Sequence, residues 1–417
     1  MEDTSRIKYI KTSKGNILKD DVLTDFVGLV FDYDKDKNGE INIHYPKSLG
    51  ELPLADEKEN RKLLLNLVKS LKLLKNADYE NKYHDNTIEN INLDKYPLYS
   101  YLWIWDDFKV HGRLIFSETV NSKNSSGRIN WKKTLQGPSF IYNDNVIFND
   151  YVYKKKIDKE NLITEIYDYC VYKSLEMIFF LTNLSKNIVH PLYKDISGRK
   201  NEYINCLTDI IETTFDDEKK LRYKHMLNIV KSSSFDSLIN KYVVGVSSYA
   251  GVFEKEIDIL LGNVSDISYF YPKASLIKED GSEEPLGNLR QDTININAGE
   301  YYIIDSKFYE FGNMPAVESV EKQIVYGESI ERNENVSGDN IYNVFLIPRS
   351  FEEEDWESND IIKYHGYSKV DWKDNNKKYE KVLFYFIDLK YVINNYRNGY
   401  QEKLFEKLHR DVINRFN

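Results

Sequence analysis

Residues 291–309 read QDTININAGEYYIIDSKFY, two strand-like runs on either side of Asn297–Ala298–Gly299. A tight turn between two such runs makes an antiparallel hairpin. That hairpin predicts Asp292, at the start of the first run, close to Asp305, at the end of the second. On an extended chain residues i and i+2 share a face, so Lys307 falls beside Asp305. Two carboxylates and one ammonium are thereby gathered at one end of two strands.

This is the set of groups that metal-assisted cleavage of a phosphodiester needs. Two carboxylates hold a divalent cation, which polarises the phosphate and acidifies a bound water, and a lysine orients or deprotonates that water. The backbone carbonyl of Ser306, between acid and lysine, is a further candidate oxygen ligand. Asp-x-Lys alone is a weak signal, because a salt bridge at a strand end gives the same pattern. The chain carries such a copy at Asp388–Leu389–Lys390, after the run FYFI. No acid-bearing strand shortly precedes it, so it reads as an ordinary strand end.

The neighbours of Asp305 add to the pattern. Downstream, PAVESVEKQIVYGESIER is a helix from 316 to about 331, with Val317, Val320 and Ile324 on one stripe. Gln323 and Tyr326 share a face of it. Read alone, Gln323 is a surface amide; after the acid strand it can point at the scissile phosphate or at the lysine. Upstream, VFEKEIDILLG places Glu254 and Asp258 one turn apart, either a solvated acidic face or the source of a third carboxylate.

The remaining chain is organised more loosely. Residues 61–77 form an amphipathic helix, and 99–116 (YSYLWIWDDFKVHGRLIF) read as buried strands interrupted by a turn. The polar stretch 121–140 gathers Arg128, Lys132 and Lys133 around Trp131; it is either a phosphate-contacting loop or a structured loop with Trp131 in the core. Helices are expected over 157–184, 202–214 and 216–232, and strands alternating with helices from about 240 onward. The expected domains are 1–150, a β-rich N-terminal region suited to DNA or target recognition; 151–240, a helical connector; and 241–417, the domain carrying the acids. The fold class is α+β, or mixed α/β, with a mixed sheet flanked by helices in the C-terminal part.

Several functions are excluded or made unattractive. A net charge of −10 argues against a protein that coats nucleic acid, though not against an enzyme with an acidic centre. Cys170 and Cys206 sit singly in apolar helical patterns, as expected of core thiols in a reducing compartment. No apolar run approaches about eighteen residues, so a cytoplasmic protein without a membrane segment is expected. There is no phosphate-binding glycine loop, no histidine or cysteine cluster for zinc, and GVSSYAG lacks the spacing of a serine nucleophile elbow.

The series FEKEID, LRQDTI, YYIIDSKFY and EKQIVYG resembles the PD-(D/E)xK nuclease superfamily, and within it the LlaJI-type restriction endonucleases, relatives of the McrC nuclease subunit. GRINWKKTLQ resembles a segment that precedes the nuclease core in that family. The resemblance implies a Mg²⁺-dependent (or Mn²⁺-dependent) endonuclease of a restriction, phage-defence system that cuts double-stranded DNA to leave a 5′-phosphate. It matches Asp292 and Asp305 to the acids, Lys307 to the lysine, and Gln323 and Tyr326 to the helix pair. Gln291 stands where the family has proline. Nucleotide hydrolysis would come from a separate AAA+ partner of McrB type, and two strand cuts favour at least a transient homodimer. The competing expectations are a catalytically idle module that binds DNA or a motor, and an α/β interaction protein in which Asp305–Lys307 is only a salt bridge.

Overall fold

The computed structural model describes residues 7–14, 17–19, 22–24, 26–32, 39–50, 57–75, 97–123, 127–178, 198–232, 241–246, 248–309, 313–349 and 360–416. The chain divides into two compact units: residues 1–92 together with 237–417, and residues 93–236. A backbone pairing explains why the first unit is discontinuous. Strand Val27–Asp32 pairs with Gly39–Tyr45 on one side and, on the other, with Lys241–Val246, a strand some two hundred residues later. The break expected near residue 150 falls inside the second unit, just ahead of strand Val152–Lys159.

The first unit is built on a five-stranded mixed sheet in the order Thr293–Asn297, Glu300–Ser306, Ile341–Arg349, Val382–Asp388, Ile362–Ser368. The expected hairpin forms its edge, with Thr293 opposite Ile304 and Asn297 opposite Glu300. Its two turn residues, Ala298 (φ 51°) and Gly299 (φ 85°), are both left-handed, which matches the twist of the strands they join. The inner three strands run parallel. Every residue of Ile341–Arg349 and Val382–Asp388 is buried, as parallel strands covered on both faces must be.

Helix Val317–Glu334 covers one face, placing Val320, Ile324 and Ile330 against Ile303, Phe345 and Phe384. Helix Glu402–Phe416 packs Phe405 and Phe416 edge-on against Tyr302 and Tyr342. Helix Glu57–Ser70, from the start of the chain, is tied in by Asn66 Nδ2, which donates to Asn394 Oδ1 at 2.9 Å. The mixed sheet with flanking helices is the architecture the strand and helix alternation predicts.

In the second unit one expectation fails. Residues 98–111 are a helix, not strands. Aromatic and branched residues give the stretch a strand-like composition, but Leu98, Tyr101, Leu102 and Trp105 recur at helical spacing and are all buried. Gly112, at φ 72°, ends the helix. Helices Leu162–Ile178, Lys200–Thr213 and Asp217–Ser232 complete the unit with the sheet of Phe116–Lys123, Val152–Lys159 and Arg128–Ile129. The expected helix from 157 therefore starts later, because residues to Lys159 pair as a strand; its part beyond Ile178 lies outside the described residues. Among the described residues no helix is long and apolar enough to cross a membrane.

Gly327 shows how tightly helix Val317–Glu334 is seated. A Cβ there would lie 2.6 Å from the Tyr379 ring, and Tyr379 is buried with its hydroxyl donating to Glu331 Oε2 at 2.8 Å. Alanine gains roughly 1 kcal/mol of helix propensity over glycine, but overpacking costs about 1–3 kcal/mol. Gly327→Ala is expected to lower the unfolding free energy by about 1 kcal/mol or more in a denaturant titration.

Candidate active site

The hairpin register brings the acids together as expected. Asp292 immediately precedes the first strand, and its Oδ2 accepts the Ser306 backbone N–H at 3.2 Å. Asp305, on the second strand, is 6% exposed. Lys307 follows just past the strand end, where its backbone N–H donates to the Leu346 carbonyl at 3.0 Å. Its Nζ lies 2.6 Å from Asp305 Oδ2. Asp292, Asp305 and Lys307 thus occupy one place, at the edge where the parallel strands end.

Electrostatics make this place unusual. Burial, followed by the charge of Asp292, pushes the Asp305 carboxyl up to about 7, against the pull of Lys307. Burial works against the Lys307 ammonium as well, but the charge and hydrogen bond of Asp305, with Asp292 behind it, outweigh that and raise it above its usual value. Lys307 is therefore a fixed cation. One ammonium serves two neighbouring carboxylates, and Asp305 retains its proton toward neutrality. Such a pair has capacity for a further cation.

Asp258 adds a third carboxylate. It lies on helix Ala250–Leu261, where burial raises its pKa, Lys255 and a hydrogen bond with Thr293 lower it, and Asp292 raises it again. Those partners place Asp258 beside the start of the first acid strand. Glu254 is half-buried one turn earlier on the same helix. Carboxylates and a main-chain oxygen are the donor types that a hard divalent ion such as Mg²⁺ takes, but the ligand atoms of Asp258, Asp292 and Asp305 do not all lie within 4.8 Å of one another.

Gln323 and Tyr326 are both buried on the helix after the acid strand. Tyr326 is buried near the acids, and after burial the charges of Asp305 and Asp292 are what raise its phenol. Its hydroxyl donates to the Arg290 carbonyl at 2.8 Å, bracing the approach to Asp292. Gln323 is 1% exposed, and neither atom of its amide has a hydrogen-bond partner among the described residues. A buried amide left without partners costs about 1–3 kcal/mol. Gln291, where the resembling family has proline, is buried and donates to the Phe270 carbonyl at 3.0 Å. A hydrogen bond here substitutes for a rigid ring.

Arg128, Trp131, Lys132 and Lys133 belong to the other unit. All four are exposed, and Trp131, at 53%, meets Phe148 and Tyr151 edge-on and is not part of the core. Asp107, His111 and Glu218, also in that unit, have ligand atoms within 4.8 Å of one another. They do not fit a metal, because Arg222 Nε and Nη2 already hold Asp107 at 2.9 and 2.8 Å. The second Asp-x-Lys pair is equally accounted for. Asp388 caps the next helix by accepting the backbone N–H groups of Lys390 and Tyr391 at 3.1 and 3.2 Å.

One group of residues escaped the sequence. Glu256 is fully buried, its pKa pushed by burial up to about 8, while the Tyr249 and Ser70 hydroxyls pull it back. The Tyr249 hydroxyl lies 2.9 Å from Glu256 Oε1 and 2.7 Å from Ser70 Oγ, and Ser70 in turn donates to the Leu67 carbonyl at 2.9 Å. Tyr249 donates to Glu256 Oε1, and burial without a cationic partner is why Glu256 keeps its proton near neutrality. An acid on the apolar stripe of helix Ala250–Leu261 was the available signal.

The family model described as LlaJI restriction endonuclease matches residues 26–390. A solved half-complex of a tetradecameric assembly, Thermococcus gammatolerans McrB AAA+ hexamers with bound McrC, is 14% identical. The alignment covers 89% of this chain and 81% of that one at a TM-score of 0.35. None of the curated proteins matches the chain.

The raised Asp305 carboxyl has a measurable consequence. Its ordinary value is 3.8, so between roughly pH 4 and 7 the folded chain holds a proton that the unfolded chain has released. Metal-free stability contributed by this group therefore falls as pH rises through that window. Melting curves are expected to show this decline in the native protein and less of it in Asp305→Asn. Added Mg²⁺ should raise the melting temperature increasingly above about pH 7 in the native protein and not in Asp305→Asn.

Proposed function

The chain belongs to the LlaJI restriction endonuclease family, and we propose that it is a Mg²⁺-dependent DNA endonuclease of a bacterial restriction system, with Asp292, Asp305 and Lys307 as its centre. The observation that carries this reading is the convergence of two carboxylates on one lysine at a buried strand end, with Asp305 raised to about 7. A salt bridge serving stability alone has no use for a second acid that destabilises the first.

In this reading Asp292 and Asp305 hold the ion, helped by the Ser306 carbonyl and by Asp258 or Glu254. The bound ion would polarise the phosphate and acidify the attacking water. Lys307, kept cationic by its acids, donates to the water or to a phosphate oxygen and stabilises the charge that develops there. It is suited to be a charge stabiliser more than a general base. Gln323 turns its free amide toward the substrate and orients it. In-line attack leaves a 5′-phosphate.

Duplex DNA is the proposed substrate, and the exposed cations Arg128, Lys132 and Lys133 around the exposed Trp131 are its proposed contacts outside the centre. An AAA+ subunit that hydrolyses nucleotide is the proposed partner class, and pairing of two copies would serve the two strand cuts.

Plasmid nicking tests the assignment. Purified protein with Mg²⁺, with and without an AAA+ protein encoded beside it, should nick or linearise plasmid. Asp305→Ala and Lys307→Ala should each lower the rate by at least about a hundredfold. Nicking that survives both substitutions rejects the site. DNA binding without cleavage under every condition points instead to a catalytically idle binding subunit.

A further inference from the structure

The residue after Lys307 is Phe308, and its surroundings have a role that the acids do not supply. Phe308 packs against Tyr249 (ring centroids 5.6 Å, 57° between planes) and Phe253 (5.6 Å, 62°). Both rings come from the same stripe of the helix region that also delivers Asp258, and both are buried. Tyr249 is in turn fixed by its hydroxyl, 2.7 Å from Ser70 Oγ and 2.9 Å from Glu256 Oε1. Ser70 is the last residue of helix Glu57–Ser70, and donates to Leu67 of the same helix.

We propose that Ser70, Tyr249 and Phe308 form a positioning chain for Lys307, which makes the helix Glu57–Ser70 a working part of the nuclease centre. Lys307 has left the strand; its backbone N–H donates to Leu346, and its Nζ pairs with Asp305 and stands 6.0 Å from the Phe345 ring centroid, but none of these sets the direction of the chain beyond it. A long, flexible ammonium needs a second constraint to stay 2.6 Å from Asp305. The aromatic slot supplies it. Phe308 is clamped between two buried rings, one of them held at its far end by hydrogen bonds, so the chain direction at 307–308 is set. Tyr249 and Phe253 seat Phe308 while Asp258, on the same helix, stands beside Asp292. One rigid helix thereby coordinates the lysine with the third carboxylate. None of these three residues touches the reacting atoms, so their role is positioning and not catalysis.

The inference rests on the nuclease reading, and its test separates the two. Ser70→Ala and Tyr249→Phe each remove a single oxygen and leave the packing in place; Phe308→Ala removes the clamped ring and Phe308→Tyr restores it. With plasmid as substrate, kcat is expected to fall by about ten- to a hundredfold in Phe308→Ala, and by less in Ser70→Ala and Tyr249→Phe. KM should stay within about threefold, and Phe308→Tyr should recover most of the loss. Independently of cleavage, trace acetylation with an N-hydroxysuccinimide ester, read by peptide mass spectrometry, should modify Lys307 several times faster in Phe308→Ala, Ser70→Ala and Tyr249→Phe than in the native chain. Other lysines of the same samples serve as controls. Unchanged Lys307 labelling in all three variants overturns the proposal, as does a loss confined to KM. Faster labelling in a protein that never cuts DNA supports the positioning chain and rejects the nuclease reading.

Discussion

Two carboxylates at the end of one hairpin repel each other, and burial intensifies the repulsion because water is excluded from Asp305. Most of the surrounding structure can be understood as holding that pair in place. A left-handed two-residue turn sets the register. The buried central strands anchor the hairpin on one side, and Tyr326 braces the Arg290 carbonyl just ahead of Asp292. Lys307 offsets part of the repulsion at 2.6 Å. Removing the lysine would let the Asp305 carboxyl hold its proton to still higher pH, whereas removing Asp305 would leave the Lys307 ammonium with Asp292 as its remaining acid. The two substitutions are therefore not equivalent for stability even if both abolish cleavage.

The hairpin was legible because its information is local. Alternating apolar residues, a turn and two acids lie close together in the sequence, and strand geometry does the rest. Residues 98–111 show the opposite hazard: aromatic and branched residues suggest strands, yet the burial of Leu98, Tyr101, Leu102 and Trp105 keeps the helical period. Ser70 and Tyr249 were beyond reach, since residues 179 apart in sequence meet through a single hydroxyl pair. Lys241–Val246 could be read as a short segment, but its partner, Val27–Asp32, is set by the return of the chain and not by anything near it.

The two Asp-x-Lys sequences diverge at the scale of one side chain. Asp388 ends a strand much as Asp305 does, but a helix begins at once and its first free N–H groups claim the carboxylate. No helix begins within the described residues just after Asp305, and its partner is the lysine. The backbone immediately downstream of the acid determines whether helix N–H groups or a lysine take the carboxylate.

The discontinuity of the first unit bears on when its gathered side chains come into register during synthesis. The opening strands reach the ribosome exit long before Lys241–Val246, with 93–236 emerging between them. Asp292, Asp305 and Lys307 come later, and Val382–Asp388, which lies inside the five-stranded sheet and not at its rim, comes later still. A nascent chain interrupted before that strand carries every acid of the centre and lacks the sheet that aligns them. Alignment of these three groups therefore waits for a strand that is synthesised well after them.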